Sequence, residues 1–247
     1  MTVHFTADIC KLEYTESFVE HPVLWESHCH SQYEMIAVAE GDITVLLEGQ
    51  SYRLQKNQVI IIPPLSYHSV TANKEGSYQR ITALFDAEAV PKALRSVFVR
   101  QFPGVFPSIQ AKGLQELCQK EDVAFYEPLA QSLMVQLFYD SLNTQQRITQ
   151  TDTDDLLQKA LHYIEQHLHE KIVLDDLAKH TARSKSSFCH LFEEKMNISP
   201  KQYILQKKLA LANKLISEGV PRTVAASRVG YDNYSNFYRL CKKSLME

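Results

Sequence analysis

Three histidines and a glutamate in the N-terminal part of the chain stand at spacings that suit a metal site. His28, His30 and Glu34 form a His-x-His-x-x-x-Glu pattern, and His68 follows Pro64 by four residues. Positions 28, 30 and 34 would share one face of an extended strand, because side chains alternate along a strand. A second strand would supply His68. Imidazole and carboxylate groups together suit a divalent transition metal, so these four residues are candidate ligands.

The segment from Val3 to Phe85 that contains these residues is typical of short β-strands. Apolar, β-branched runs such as Ile43 to Leu47 and Val59 to Ile62 alternate with turn residues. The turn signals are Glu40-Gly41-Asp42, Glu48-Gly49-Gln50, Lys56-Asn57 and Pro63-Pro64. Strands of this length and spacing must each bury one face against another sheet, which predicts a sandwich or a barrel.

Three aromatic residues, Trp25, Tyr33 and Tyr67, lie near the candidate ligands in the sequence. They would either add stacking surfaces to the site or be ordinary core residues, which is the commoner role of buried rings.

Residues from about Ala87 to Asn143 are expected to be helical. Leu129, Leu133 and Leu137 recur at four-residue spacing, which is typical of one face of a helix. A helix this apolar does not stand alone, and it packs on the barrel or on a second subunit. Because the leucine face exceeds what one small barrel needs to cover, we predict a homodimer through the helices between about Ala87 and Asn143. Residues 144–153 are polar and nearly free of apolar side chains, and they are the predicted linker.

The remainder of the chain is expected to be helical and contains an internal repeat at an offset of about 48 residues. In both copies an apolar-Ala pair is followed by a cluster of larger apolar residues. The copies are Leu177-Ala178 with Phe188, Leu191 and Phe192, and Val224-Ala225 with Phe237, Leu240 and Cys241. A short helix, a turn and a capped second helix are the helix-turn-helix pattern, with Ser184 and Asp232 as the predicted caps.

A long helix is predicted between the two repeats. Ser199-Pro200 is typical of a helix start, and the helix is expected to run to about Ser217. A length of roughly 28 Å approaches the roughly 34 Å of one DNA turn, so two recognition helices could enter successive major grooves. Asn197 is predicted to adopt a left-handed conformation just before this helix.

Exposed residues on the two recognition helices are the candidate DNA contacts, because their donors suit base edges and phosphates. On the first helix they are Lys185, Ser186, Cys189 and His190, and on the second Asn233, Tyr234, Ser235, Tyr238, Arg239, Lys242 and Lys243.

Charge is distributed unevenly along the chain. Residues 1–152 carry 11 Lys and Arg against 18 Asp and Glu, whereas residues 153–247 carry 15 against 11. From Ile172 onward the counts are 13 and 7. Such asymmetry is expected when one part of a protein meets phosphate and the other does not, although a solvated basic face is the simpler alternative.

The five cysteines form no Cys-x-x-Cys pair, so neither a disulfide framework nor a thiolate zinc site is indicated. The longest apolar run, Val59 to Ile62, is too short to span a bilayer, and no signal peptide opens the chain. We expect a soluble, cytoplasmic protein.

The C-terminal pattern resembles that of AraC/XylS-type transcription regulators from about Asp154 to the end. The second motif matches almost position by position through Val224-Ala225, Val229-Gly230-Tyr231-Asp232, Phe237, Arg239 and Lys242-Lys243. Three departures weaken the expected phosphate contacts: Glu193-Glu194 replaces a basic pair, His190 replaces an arginine, and Cys241 replaces a phenylalanine. The resemblance implies a DNA-binding regulator, with activation favoured over repression. The implied partners are double-stranded DNA, RNA polymerase and a small-molecule effector such as a sugar or another metabolite.

The histidine pattern, with Gly41 and Pro64, resembles the two motifs of cupins. Together the resemblances imply an α+β multidomain chain, whose N-terminal double-sheet β-barrel of the cupin or jelly-roll type, with accessory helices, precedes an all-α domain of two helix-turn-helix motifs. The expected boundaries are a sensing barrel over 1–86, a helical dimerisation segment over 87–143, a linker over 144–153 and the DNA-binding domain over 154–247.

The resemblance makes His28, His30, Glu34 and His68 the expected effector pocket. Regulatory cupins often keep such residues without a metal, so an organic effector or structural hydrogen bonds are alternatives to a divalent ion. A metal-dependent cupin enzyme with a DNA-binding appendage is the alternative function, although no separate catalytic acid–base pair stands out. An architectural DNA-binding protein with an inert barrel is a third.

Overall fold

The computed structural model describes residues 2–7, 10–25, 27–93, 95, 104–118, 126–143 and 154–244. Within these ranges the chain forms ten strands and eight α-helices. The strands form two antiparallel sheets, which confirms the predicted double-sheet barrel. The predicted linker, 144–153, lies outside the described residues.

The larger sheet has six strands in the order β1-β2-β9-β4-β7-β10. The strands are β1 (Thr2–Ala7), β2 (Cys10–Val19), β4 (Tyr33–Glu40), β7 (Gln58–Ile62), β9 (Gly76–Phe85) and β10 (Val105–Pro107). Each neighbouring pair is antiparallel.

The smaller sheet has four strands in the order β3-β8-β5-β6. They are β3 (Val23–Leu24), β5 (Asp42–Leu47), β6 (Gln50–Gln55) and β8 (His68–Ala72). The β4–β5, β5–β6 and β6–β7 connections fall at the predicted turns, with Gly41, Glu48, Gly49 and Asn57 in the left-handed region of backbone space.

Apolar side chains fill the space between the two sheets and cover the outer face of the larger one. Ile36, Val45 and Ile60 belong to the inner cluster, which the alternation of side chains along each strand produces. On the outer face, Met35 and Ile81 pack under α1 (Gln110–Cys118) and α2 (Tyr126–Asn143). Strands β4 and β7 of the larger sheet are therefore buried on both faces.

Two expectations for residues 87–143 need correction. The segment is not helical throughout, because Val105–Pro107 is strand β10, paired with β7 at the edge of the larger sheet. The expected surplus leucine face is also mostly used within the chain: Leu133 and Leu137 are buried against the barrel, whereas Leu129 is 41% exposed. The barrel with its covering helices, residues 2–143, is called the barrel domain below.

The helical domain, residues 154–244, consists of six helices. They are α3 (Asp155–Gln166), α4 (Leu174–His180), α5 (Lys185–Met196), α6 (Pro200–Ser217), α7 (Arg222–Arg228) and α8 (Tyr234–Ser244). The pairs α4–α5 and α7–α8 are the two predicted helix-turn-helix motifs, and α6 is the predicted long helix.

The N-terminal helix caps follow the predictions at two of three helices, and the one predicted C-terminal cap, Asn197, is confirmed. Ser184 accepts a hydrogen bond from the backbone N–H of Ser187, Ser199 accepts one from Gln202, and Asn197 has the predicted left-handed conformation. The predicted cap Asp232 is wrong, because the side-chain oxygen of Asn233 accepts the hydrogen bond from the backbone N–H of Asn236.

Among the described residues, Cys10, Cys29, Cys118 and Cys189 are free thiols. Within the same ranges, no helix is both long and apolar enough to cross a membrane.

Candidate effector site and nucleic-acid interface

The three histidines and the glutamate singled out by their spacing converge on one carboxylate oxygen. The Nε2 atoms of His30 and His68 lie 2.9 and 2.8 Å from Oε2 of Glu34, and Nε2 of His28 lies 3.6 Å from it. One ligand atom from each residue falls within 4.8 Å of the others. The structure thus brings together all four predicted residues.

The four site residues do not lie as expected, because residues 28, 30 and 34 do not share one strand. Glu34 lies in β4 and His68 begins β8, on the opposite sheet. His28 pairs with His68 through two backbone hydrogen bonds of 3.0 Å, whereas His30 lies in the irregular connection to β4. The site therefore bridges the two sheets rather than lying along one strand.

Backbone carbonyls orient two of the imidazole rings. The Nδ1 atom of His30 lies 2.9 Å from the carbonyl oxygen of Gln32, and that of His68 lies 2.9 Å from the carbonyl oxygen of Ser66. Because a carbonyl only accepts, both Nδ1 atoms carry a proton. The Nε2 atoms then either offer lone pairs to a cation or, when protonated as well, donate to Glu34.

Glu34 is the buried anion of this cluster and is 5% exposed. Burial by itself would raise its pKa, but hydrogen bonds from His28, His30 and His68 hold the pKa of Glu34 well below its usual range. The carboxylate is therefore ionised at neutral pH and available to a cation or an imidazolium.

The three nearby aromatic residues have different roles. Only Trp25 lines the inside of the barrel, where its ring stacks on that of Tyr78 at 4.8 Å. Tyr33 stacks on Phe85 in the outer core, and Tyr67 packs edge-on against Tyr203 of the helical domain.

On the first recognition helix, α5, three of the four predicted DNA contacts face away from the core, whereas Cys189 packs against it. Lys185, Ser186 and His190 are exposed and Cys189 is half-buried, while Phe188 on the opposite face is buried. Lys185 forms an ion pair of 2.9 Å with Asp175 of α4, which occupies part of its charge.

At the second recognition helix, α8, four predicted contacts are exposed: Asn233, Ser235, Tyr238 and Arg239. Asn233 is exposed but uses its side-chain oxygen as the cap, and Tyr234 is half-buried beside Phe237. Arg239 donates a hydrogen bond to the side chain of Asn236. The side chains of Lys242 and Lys243 lie outside the described residues.

A polar contact between the two domains was not predicted. The Tyr203 hydroxyl and the Lys207 ammonium of α6 both donate to the carboxylate of Glu48, which lies in the β5–β6 turn. Burial would lower the pKa of Lys207, but the charge of Glu48 raises it. The sequence signal was present in the Glu-Gly turn and the Lys207-Lys208 pair, but the lysines were counted with the basic face of the helical domain.

Apolar side chains of the barrel domain also enter the core of the first helix-turn-helix motif. Tyr67 belongs to the buried cluster formed by Leu161, Phe188 and Phe192, and Cys29 packs against that cluster. Cys29 lies between the site residues His28 and His30, and Tyr67 directly precedes His68. Residues of the site and residues of the interface are therefore direct neighbours in the chain.

Comparisons with known proteins agree with this architecture. A family model described as an AraC-like ligand binding domain matches residues 21–165, more than half of the chain, and one described as a helix-turn-helix domain matches residues 177–247.

Several individual proteins are similar to this chain. The uncharacterized HTH-type transcriptional regulator YdiP of Escherichia coli (strain K12) is 23% identical over 237 residues, covering 87% of this chain and 77% of that protein. The probable transcriptional regulator LumQ of Photobacterium leiognathi is 40% identical over 77 residues, 31% of each chain. The crystal structure of unsaturated fatty acid bound ToxT from Vibrio cholerae aligns over 96% of this chain and 91% of that chain, with 12% identity and a TM-score of 0.47.

The domain matches and the named regulators support a regulator over a metal-dependent enzyme. The chain belongs to the AraC family of transcription regulators, with an N-terminal ligand-binding barrel and a C-terminal DNA-binding domain of two helix-turn-helix motifs.

Proposed function

We propose that a small-molecule effector binds at His28, His30, Glu34 and His68 and changes the affinity of the helical domain for a specific DNA sequence. One observation carries this proposal: the site residues alternate along the chain with Cys29 and Tyr67, which pack against the core of the first motif. A ligand that moves His28 or His68 would also displace these neighbours, because a closely packed interior leaves no empty space into which one residue can move alone.

We further propose that the same four residues hold a divalent transition metal. The donor set fits this group, since three imidazole nitrogens and one ionised carboxylate oxygen face a common point and carbonyls fix two of the rings. A bound ion would supply a Lewis-acidic position for a donor atom of the effector. His30 and His68 would be held by their Nδ1–H groups, and Glu34 would offset the charge of the ion.

For DNA reading we propose the exposed donors of α5 and α8, with Lys242 and Lys243 as further contacts. Lys185, His190 and Arg239 suit phosphate or base edges, and Ser186, Ser235, Asn233 and Tyr238 supply neutral donors. Cys189 and Tyr234 are half-buried and would contribute apolar contact surface. The length of α6, 18 residues or about 27 Å, suits successive major grooves.

The proposed setting is the cytoplasm, with RNA polymerase as the partner and activation as the outcome. We also propose a homodimer, with one surface in the exposed side chains of α2. Leu129, Val135 and Tyr139 are 41%, 42% and 62% exposed, and an isologous contact of such faces is the commonest way to form a dimer.

Thermal unfolding with and without ligands tests the sensing part of the proposal. Zn²⁺, Ni²⁺ and Co²⁺ should each be added to EDTA-treated protein and should raise the melting temperature, because they bind the folded state. His68→Ala should abolish the shift, while Lys74→Ala, an exposed lysine of the barrel, should retain it. Metal shifts that persist in His68→Ala would contradict the metal site.

A metabolite screen by the same measurement, followed by DNA titration, separates the functions. An effector that raises the melting temperature and changes operator affinity supports the regulator. Turnover of a metabolite would instead support the cupin enzyme, and a screen in which no ligand changes operator affinity would support an architectural protein.

A further inference from the structure

A row of polar side chains runs along the inner face of the larger sheet, starting beside the effector site. Strand β9 pairs with β4 so that Arg80 lies opposite Val38 and Thr82 opposite Ile36. Glu34 shares the face of Ile36 and Val38, because it precedes them by two and four residues. Tyr78, Arg80 and Thr82 therefore continue the polar surface that begins at Glu34.

This row is partly exposed at Arg80 and Thr82, although it faces the inside of the barrel and Tyr78 is buried. Arg80 and Thr82 are half-buried, whereas their neighbours Ile81 and Ala83 on the other face are fully buried under α1 and α2. On the opposite wall Trp25 is also half-buried, and the His28 side chain is 50% exposed. We call this partly exposed surface, formed by Tyr78, Arg80 and Thr82 with Trp25 opposite them, the inner trough.

The guanidinium of Arg80 occupies an aromatic corner of the inner trough. Its Cζ atom lies 5.7 Å from the ring centre of Trp25 and 5.9 Å from that of Tyr78. Within the described part of the chain, no carboxylate lies within ion-pair distance of Arg80. Arg80 thus contacts two ring faces and the Tyr78 hydroxyl. None of these groups carries a negative charge, so the guanidinium can bind an anion.

Three buried polar atoms of the row have no hydrogen-bond partner of good geometry among the described residues. They are Nε of Arg80, the hydroxyl of Tyr78 and the hydroxyl of Thr82. Burial raises the pKa of Tyr78 more than the charge and the hydrogen bond of Arg80 lower it, so this hydroxyl keeps its proton at neutral pH. Buried polar atoms are nearly always paired, so three on one surface indicate a missing acceptor.

We propose that the inner trough binds the carboxylate of the effector, with Arg80 as its charged partner and Tyr78 and Thr82 as hydroxyl donors. A guanidinium matches a carboxylate with two parallel hydrogen bonds. A phosphate dianion is a poorer fit, because Arg80 is the single cation of the row and the ionised Glu34 shares its surface. The remainder of the ligand would extend toward His28 and His68. This inference rests on the proposed effector site and adds the chemical class of the effector.

Trp25 is the only tryptophan of the chain, and its fluorescence can report binding in this corner. The ligand-free protein should be titrated with acetate, butyrate and succinate at constant ionic strength, and with butyramide, succinamide and inorganic phosphate as neutral and dianionic comparisons. We expect at least one carboxylate to change the fluorescence saturably and its amide to have no effect. A response to amides or phosphate alone, or no response to any carboxylate, would overturn the proposal.

Variants assign the response to the arginine. Arg80→Gln should weaken carboxylate binding by about tenfold or more, since a hydrogen bond between charged groups is lost. The carboxylate affinity of Arg80→Lys should fall between those of the wild type and Arg80→Gln. The lysine keeps the positive charge but cannot form the two parallel hydrogen bonds of a guanidinium. Arg53→Gln, an exposed arginine of the smaller sheet paired with Asp42, is the matched control and should bind normally.

Circular dichroism checks that each variant is folded, and DNA titration is run in parallel to separate the two proposals. Unchanged carboxylate binding by folded Arg80→Gln would reject the ligand class while leaving the DNA-binding regulator intact. If the wild-type protein binds no specific DNA sequence, either without ligand or with any of the carboxylates, the proposed function is rejected instead.

Discussion

The hydroxyl of Tyr203 donates a hydrogen bond of 2.5 Å to Oε2 of Glu48, and this bond joins the long helix α6 to the barrel. Lys207, one turn further along α6, donates to Oε1 of Glu48 at 2.7 Å and to the carbonyl oxygen of Leu65. Glu48 also accepts from the backbone N–H of Tyr67. One carboxylate therefore ties the helix between the two reading motifs to the strand that leads to His68.

Glu48→Gln should destabilise the protein, because the 6%-exposed Lys207 would lose its counter-ion. Glu48 is itself 28% exposed, so we expect a loss of about 2 kcal/mol in the free energy of unfolding, below the full cost of breaking a buried pair. Urea unfolding measures this value. Glu40→Gln, which breaks the exposed pair with Lys56, is the matched control and should cost less than about 1 kcal/mol. Equal effects of the two variants would contradict the role of the interdomain contact.

Gly230 is required where the second motif meets the first. Its φ is +76°, and a Cβ added there would lie 2.6 Å from the carbonyl carbon of Glu170. Neither position can shift freely, because Lys208 donates hydrogen bonds to the carbonyl oxygens of both Glu170 and Val229. Gly230→Ala combines left-handed strain with a backbone clash and should cost more than about 2 kcal/mol.

Gly219→Ala separates the two causes. Gly219 has a similar φ of +88°, but a Cβ there meets nothing within 4 Å. This variant should lose only about 1 kcal/mol from backbone strain. The two variants are compared by urea unfolding, and a Gly230→Ala protein as stable as Gly219→Ala would show that the clash is relieved by movement.

The affinity for DNA should fall steeply with salt, but less steeply than a count of all cations suggests. The 13 basic residues after Ile172 would allow about five to eight phosphate contacts and a log–log slope of −5 to −7. Lys207 and Lys208 are buried and Lys185 is paired with Asp175, so about five contacts and a slope of −4 to −5 are expected. Fluorescence anisotropy with labelled DNA measures the slope. A flat response would reject the electrostatic part of DNA binding.

Dimer formation should depend on the exposed face of α2. Tyr139→Glu and Val135→Glu place a charge in the proposed interface, and both side chains are exposed, so the fold of one chain should tolerate them. Sedimentation at micromolar concentration should show wild-type protein at twice the 28.3 kDa of one chain and the variants at 28.3 kDa. Lys112→Glu on the neighbouring helix α1 is the control. A monomeric wild type would contradict the homodimer. Variants that remain dimeric would show that the interface is not the exposed face of α2.

Local signals in the sequence predicted most of the fold. These signals depend on backbone conformations that a few neighbouring residues determine. Examples are the turn residues Gly41 and Asn57 and the helix start at Ser199-Pro200. Strand β10 was missed because only three residues pair with β7. For Leu133 the sequence left two partners open, the barrel and a second subunit, because an apolar helix face does not identify what covers it.

The candidate site shows the same limit. The histidine spacing predicted which residues meet, but the fold rather than a shared strand brings His28 and Glu34 together. Contacts between residues that are far apart in the sequence, such as Glu48 with Tyr203, leave no local pattern. Arg80 was missed for the same reason, since only the sheet register places it on the inner face.

The sensing and reading functions should separate when each is mutated. Arg239 is exposed on α8, so Arg239→Ala should weaken DNA binding by about 1 to 3 kcal/mol without affecting ligand binding. His30→Ala and His68→Ala should keep basal DNA affinity and lose the ligand response, because both side chains bond to Glu34 inside the barrel domain. His30 is the milder change, since its side chain is 24% exposed and that of His68 is fully buried. Footprinting and ligand titration on all three variants decide the matter: a folded His30→Ala protein without DNA binding, or an Arg239→Ala protein defective only in ligand binding, would reverse the assignments.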